Sequence, residues 1–340
     1  MTSITAHWVV DKIINILKRI NEERIQMKDS YTTNFTHQLK GHSNPVWALT
    51  QFQDKILSGS LDGTIKLWDP LADSNNYIKT FVNSKTAGSV YSLLLLQNNQ
   101  LAIGYDNKLI KILDLESGEY IRELKGHEGC IYSLASLNES GFVSQGGDGT
   151  LRIWDQNNEN IRTITDVSGY VSTVIVNDGY IISENSKNEV GIWSAEKGQL
   201  VHTLKGHPEA SELMGKHMRA LSFLSDKNIL ATGSNNYDIK IWDIRSQQSV
   251  GRLEGHKNYV NALSVTSDKL FASASGDKSI KIWDIRNMDC VETINTNHDK
   301  WIQGLINFSK GESKVLISGS GDNTIGVFPI HLHESDNNNV

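Results

Sequence analysis

Apolar residues along this chain come in short clusters separated by Gly, Asn, Asp and Ser. The stretch 130–165 shows the pattern most plainly: CIYSLASL, then GFVSQG, then Gly147-Asp148-Gly149, then TLRIWD, then an Asx-rich turn and NIRTIT. Runs of this length bounded by turn residues predict four strands joined by hairpins, with Asp-Gly the strongest short turn signal. A different period governs residues 3–28. Val9, Ile13, Ile16, Ile20 and Met27 fall on one helical stripe with Leu17 beside it, and Asp11, Asn15, Lys18 and Glu22 fall opposite. That spacing predicts an amphipathic α-helix of about six or seven turns, flanked by Trp8.

The strand pattern repeats. Aligned on one short motif, the chain reads TIKLWD 64–69, LIKILD 109–114, TLRIWD 150–155, EVGIWS 189–194, DIKIWD 238–243, SIKIWD 279–284 and TIGVFP 324–329. The pivotal residues at 68, 113, 154, 193, 242, 283 and 328 lie 45, 41, 39, 49, 41 and 45 apart. Four short strands cannot bury both faces of their own sheet. Units of this length solve the problem by stacking around an axis, which is the signature of a propeller.

The repeats also share polar positions. His42, Ser58, Asp62 and Trp68 recur as His127, Ser144, Asp148 and Trp154, and again as His256, Ser273, Asp277 and Trp283. An indole N–H, a hydroxyl and an imidazole can satisfy one another in series and end on a carboxylate. A set that recurs at blade spacing is structural and not a catalytic triad. On these residues the chain resembles the WD-repeat family across about 34–333. The resemblance implies an all-β, seven-bladed WD-repeat β-propeller. Blade two departs from the pattern with Ile103, Asn107 and Leu113, and blade four with Val167 and Lys187. Blade five has Asn236 at the Asp position, and blade seven has Phe328 at the Trp position. Blades two and four are therefore expected to be the least locked. FTHQLKGH at 35–42 matches the end of a blade that nothing precedes, so it is expected to be the outer strand of blade seven, removing an open edge. The domain reading is 1–33 helix and linker, 34–333 propeller, and 334–340 polar tail.

Composition narrows the function. The 340 residues carry a net charge of −6, so no basic field draws in nucleic acid. The longest clean apolar run is Leu93–Leu96, far short of a membrane span, and the opening MTSITAHWVVDK lacks the order of a secretory leader. Cys130 and Cys290 are isolated, which fits a reducing intracellular compartment and makes no metal site. His331 with His333, and His207, Glu209, Glu212 and His217, match no ligand spacing. Phosphate-binding glycine motifs are absent. The expectation is a non-enzymatic protein without cofactor or metal, placed in the cytoplasm with the nucleus left open.

Two surfaces are singled out. In propellers of the family, residues shortly after the blade histidine point to the top opening. Here these are Trp47, Tyr91, Cys130, Tyr132, Tyr170, His217, Arg219, Tyr259, Asn261 and Trp301. Trp, Tyr and Arg together have the composition of an interaction hot spot, and they suit a peptide or loop of another protein. The second surface is the repeated KIWDIR at 240–245 and 281–286. Paired WD-x-R turns in neighbouring blades are similar to the docking box of cullin-4 ubiquitin ligase substrate receptors, which often add an N-terminal helix. That resemblance implies adaptor docking through Arg245, Arg286 and the helix residues Trp8, Val9, Ile13, Ile16, Leu17 and Ile20. The plainer reading pairs each arginine with a turn carboxylate. The leading expectation is a protein–protein interaction scaffold that binds its partner on the top face. A ligase receptor stands as the alternative.

Overall fold

Among the described residues the apolar clusters form 28 strands, arranged as seven four-stranded antiparallel sheets in a ring. The structure is a computed structural model that describes residues 37–72, 76–83, 88–137, 141–169, 173–207, 217–224 and 228–330. The helix expected over 3–28 and the tail 334–340 lie outside the described residues. Six sheets use consecutive strands; blade one, for example, runs Val46–Phe52, Lys55–Ser60, Thr64–Trp68 and Lys79–Asn83 from the axis outward. The seventh takes Ile302–Lys310, Ser313–Ser320 and Thr324–Pro329 from one end of the chain and His37–Lys40 from the other. His37 pairs with Val327 and Leu39 with Ile325, so the ring is closed as the FTHQLKGH segment predicts.

The turn between the second and third strands needs a left-handed residue in every blade. Gly63 and Gly149 supply it at φ 79° and 73°, while Lys108, Asn188, Tyr237, Lys278 and Asn323 hold the same conformation elsewhere. The non-glycine residues carry that strain because the flanking sheet fixes the turn.

The core is seven apolar layers, one between each pair of neighbouring sheets. Between blades seven and one, Leu39, Val46, Ile56, Trp68, Phe308 and Ile317 are buried together. The layers demand a small residue at one point of the second strand. A Cβ on Gly59 would collide with Val90 of the next blade, and one on Gly233 would come within 2.6 Å of Val260. Blades three and four break this rule with Gln145 and Glu184, both fully buried. Both side chains find hydrogen-bond partners within the ring. Gln145 donates to the Ser168 carbonyl at 3.2 Å and accepts from the Ser183 hydroxyl at 3.1 Å. Glu184 accepts from the Met218 amide at 2.9 Å.

Candidate functional site

The recurring polar residues form closed chains inside the blades. In blade one, Trp68 Nε1 donates to Ser58 Oγ at 2.7 Å, Ser58 lies 2.7 Å from His42 Nε2, and His42 Nδ1 lies 3.0 Å from Asp62. The indole can only donate, so the hydroxyl proton turns to Nε2 and the imidazole carries its proton on Nδ1, facing the carboxylate. Thr64 also donates to Asp62 at 2.6 Å. Blade three repeats the chain at 2.8, 2.7 and 2.9 Å. Blade six repeats it at 2.7, 2.7 and 2.9 Å. Blade seven keeps His298, Ser318 and Asp322, with Phe328 in the indole's place.

Charge follows from this geometry. Burial holds the His42 and His127 imidazoles below their usual range, against the pull of Asp62 and Asp148. Burial opposes ionisation of Asp62, but hydrogen bonds from His42, Thr64 and the Ser43 amide outweigh it and hold the carboxyl well below its usual range. A neutral ring therefore sits against a permanent carboxylate, and no exposed nucleophile enters the set.

Blade five differs from expectation. Its carboxylate is not missing at Asn236 but displaced to Asp238, the position that Thr64 holds in blade one. Asp238 accepts from His207 at 2.9 Å, from the Ser234 hydroxyl at 2.7 Å and from Arg252 Nε at 2.7 Å. Burial opposes its ionisation, but these donors bring its pKa down to about 2. His207 continues to Thr232 at 2.9 Å, and Trp242 donates to the same hydroxyl at 3.0 Å. Blade five is thus fully locked. Blade two dispenses with the chain: Ile103 and Leu113 are core residues, and buried Tyr105 meets the Tyr120 hydroxyl at 2.6 Å.

The top opening has a single structural origin. The innermost strands of blades one, two, three, five, six and seven each carry a β-bulge near their start. The extra residue is in turn Trp47, Tyr91, Tyr132, Arg219, Asn261 and Gln303. A bulge leaves one residue out of the ladder and re-aims its side chain. In this way six strands that are otherwise alike present six different groups.

Three of these groups form a continuous aromatic array. Trp47 and Tyr91 meet edge to face with ring centroids 5.0 Å apart, and Tyr91 and Tyr132 meet at 5.6 Å. All three are half-buried and border one central cavity. Across the opening the character is polar. The Arg219 guanidinium lies 4.5 Å over the Tyr259 ring and donates to Asn235. Tyr237 packs beside Tyr259 at 5.8 Å. Trp301 is exposed and lies flat over Gly321, where a Cβ would come within 2.5 Å of the indole.

The remaining expected site residues are placed less favourably. Asn261 is buried in the channel wall, where its amide donates to the Ile302 carbonyl at 2.8 Å. His217 Nδ1 stands 3.6 Å from the buried Glu184 carboxylate. Cys130 is half-buried and contributes its carbonyl to Gly147. Tyr170 lies outside the described residues. Gln303 was missed because it lacks the aromatic or charged character that drew attention to the others, although its bulge position is the same.

The two WDIR turns are not alike. Arg286 is held bidentate by Asp284 of its own turn, at 3.0 Å from Nε. Arg245 lies in an exposed turn whose amide donates to Asp243 at 2.8 Å. Among the described residues no cluster of three metal-ligating side chains forms, and no helix is long and apolar enough to cross a membrane.

Comparison with known proteins agrees with this architecture. The model of the WD domain, G-beta repeat, matches residues 33–69, and that of the Nucleolar protein 10-like, N-terminal domain, matches residues 92–321. Nuclear distribution protein nudF of Aspergillus niger is 28% identical over 96% of this chain and 83% of its own length. DENN domain and WD repeat-containing protein SCD1 of Arabidopsis thaliana is 23% identical over 94% of this chain, which spans 27% of that protein. Pre-mRNA-processing factor 17 of Homo sapiens is 25% identical over 64% of this chain and 38% of its own length.

Proposed function

The chain belongs to the WD-repeat β-propellers, with a Nucleolar protein 10-like N-terminal domain over most of its length, and from that premise we propose that it is a non-catalytic interaction scaffold binding a peptide or loop at its top opening. The observation that carries this reading is the array Trp47–Tyr91–Tyr132. Three rings from three adjacent blades stand side by side on bulges, positions where the strand ladder does not call for aromatic residues. Half-buried aromatics with a polar handle supply binding energy at little entropic cost, because the rings are already held. Arg219 and Tyr259 opposite them add polar selectivity. The buried His–Ser–Asp chains leave the scaffold rigid and supply no reactive group. The nucleus is the compartment to examine first, given the nucleolar relatives of the domain. No observation favours the ligase-receptor alternative, since Arg286 is occupied by its own turn.

The test is a peptide-display selection on the purified full chain, followed by affinity measurement on the winning peptide. Trp47→Ala and Tyr132→Ala should each weaken that peptide at least tenfold, while Arg245→Ala leaves it unchanged. Peptides whose affinity ignores both ring deletions would refute the top-face reading.

A further inference from the structure

Blade one carries an apolar rim patch that reaches Gly41, at the end of the strand contributed by the N-terminal part of the chain. Tyr77 and Ile78, at the start of its outer strand, are 44% and 55% exposed, and Leu71 in the preceding turn is 36% exposed. Tyr77 is not loosely held: it packs edge-on to Trp68 at 5.8 Å, with the Lys66 ammonium 3.6 Å over its ring. A Cβ on Gly41 would come within 2.8 Å of it. Gly41 directly follows His37–Lys40, the strand contributed by the N-terminal end of the chain. Tyr77 therefore touches the far end of the strand that the N-terminal part of the chain contributes, and the chain enters that strand at His37, about 13 Å away along it at ~3.3 Å per residue.

The chain before that strand brings its own apolar stripe, Val9, Ile13, Ile16 and Ile20. A single amphipathic helix buries such a stripe against something or does not persist in water. Residues 29–36 connect it to His37 and span at most about 26 Å when extended, at ~3.3 Å per residue. A helix over 3–28 would be about 39 Å long at ~1.5 Å per residue, enough to lie along a blade's outer edge. A tether this short makes the docking intramolecular, so the local concentration of the helix reaches the millimolar range and few contacts are needed. The outer strand of blade one also presents an unpaired edge that natural sheets cover or charge.

We propose that residues 3–28 dock as a helix on the outer rim of blade one, with the Ile13–Ile16–Ile20 stripe over Leu71, Tyr77 and Ile78. The helix acts as a clasp across the ring's closing seam, holding blade one to the blade that receives the N-terminal strand. This does not depend on what binds the top opening.

Hydrogen exchange on the full chain tests it. Amides of residues 76–81 should exchange at least tenfold faster in Ile13→Asp with Ile16→Asp, while a blade-six peptide over 270–283 keeps its protection. Asn15→Asp, on the opposite helix face, should change neither. The reciprocal variant, Ile78→Lys, sits at an exposed position that tolerates charge and should speed exchange over residues 9–20 without touching blade six. Unchanged exchange at 76–81 in the stripe variant, or at 9–20 in Ile78→Lys, overturns the proposal. So does sedimentation showing that the parent is a dimer and the stripe variant a monomer, because the occupant would then be a second copy. If the stripe variant loses protection in every blade, Ile78→Lys alone decides.

Discussion

Asp238→Asn and Asn236→Ala in blade five separate two accounts of how a degenerate blade is locked. By alignment, position 236 is where the carboxylate belongs and Asn236 is its weakened replacement. In the structure, Asn236 enters only through its backbone amide, which donates to Ser234 Oγ at 3.0 Å, and Asp238 does the work. Asp238 is 2% exposed and takes hydrogen bonds from His207, Ser234 and Arg252. The Arg252 side chain is 40% exposed, so its share is screened and small. His207 is 1% exposed, and its bond is the one that matters. A hydrogen bond to a charged group contributes about 1.5–3 kcal/mol, and a buried donor left facing an amide N–H adds about 1–3 kcal/mol. Asparagine retains one acceptor oxygen, so the expected loss for Asp238→Asn is about 2–4 kcal/mol, or about 3–6 °C in Tm for a chain of this size. Asn236→Ala should stay within about 0.5 kcal/mol. Urea unfolding followed by both tryptophan fluorescence and circular dichroism measures the two, with coincident transitions licensing the comparison. Equal losses for the two variants, or a larger one for Asn236→Ala, would refute the displaced-carboxylate account.

Three further perturbations address other parts of the argument. Gly59→Ala drives a methyl into Val90 and should destabilise by about 1–3 kcal/mol, measured by urea midpoint; a neutral result would show that the blades do not press together there. Trp154→Phe removes the indole donor to Ser144 from a 2% exposed site and should cost about 1–3 kcal/mol. Stability should also fall in two stages on acidification. His42 and His127 have lowered folded-state pKa values, so the stability they confer is complete above about 6.5 and is lost below it; Asp62, Asp148, Asp238, Asp277 and Asp322 are also lowered, so theirs is lost below about 4. A Tm that rises from pH 7.5 to pH 5 would contradict the neutral-imidazole assignment.

The architecture was legible because its determinants recur. The Trp-Asp motif and the His–Ser–Asp chains each occur several times at one spacing, so a single divergent blade cannot hide the period. Even ring closure could be read, since FTHQLKGH ends as the other blades end. What escaped lies where one blade departs from its neighbours by compensation. Asp238 moved two positions along a turn, which a column-by-column reading takes for a loss. Gln145 and Glu184 replace small residues because partners distant in sequence, Ser168 and Ser183 for one and the Met218 amide for the other, satisfy them, a three-dimensional fact without local trace. Asn261 looked like a surface group, yet its bulge turns it into the channel wall toward Ile302.

The same contrast explains why function was harder to read than fold. Positions that hold a blade together must satisfy one constraint seven times over, and they converge on His, Ser, Asp and Trp. The bulge residues satisfy no shared constraint. Each lies outside the ladder, so strand pairing does not dictate its identity, and the six described are Trp, Tyr, Tyr, Arg, Asn and Gln. On the proposed reading, stability and recognition are separate: what repeats specifies the ring, and what fails to repeat would specify the partner. On that argument, exchanging half-buried bulge residues between blades, for instance Trp47→Arg together with Arg219→Trp, should leave the ring intact by circular dichroism and abolish binding of the selected peptide. Loss of the ring itself would show that the array is part of the core and not a recognition surface.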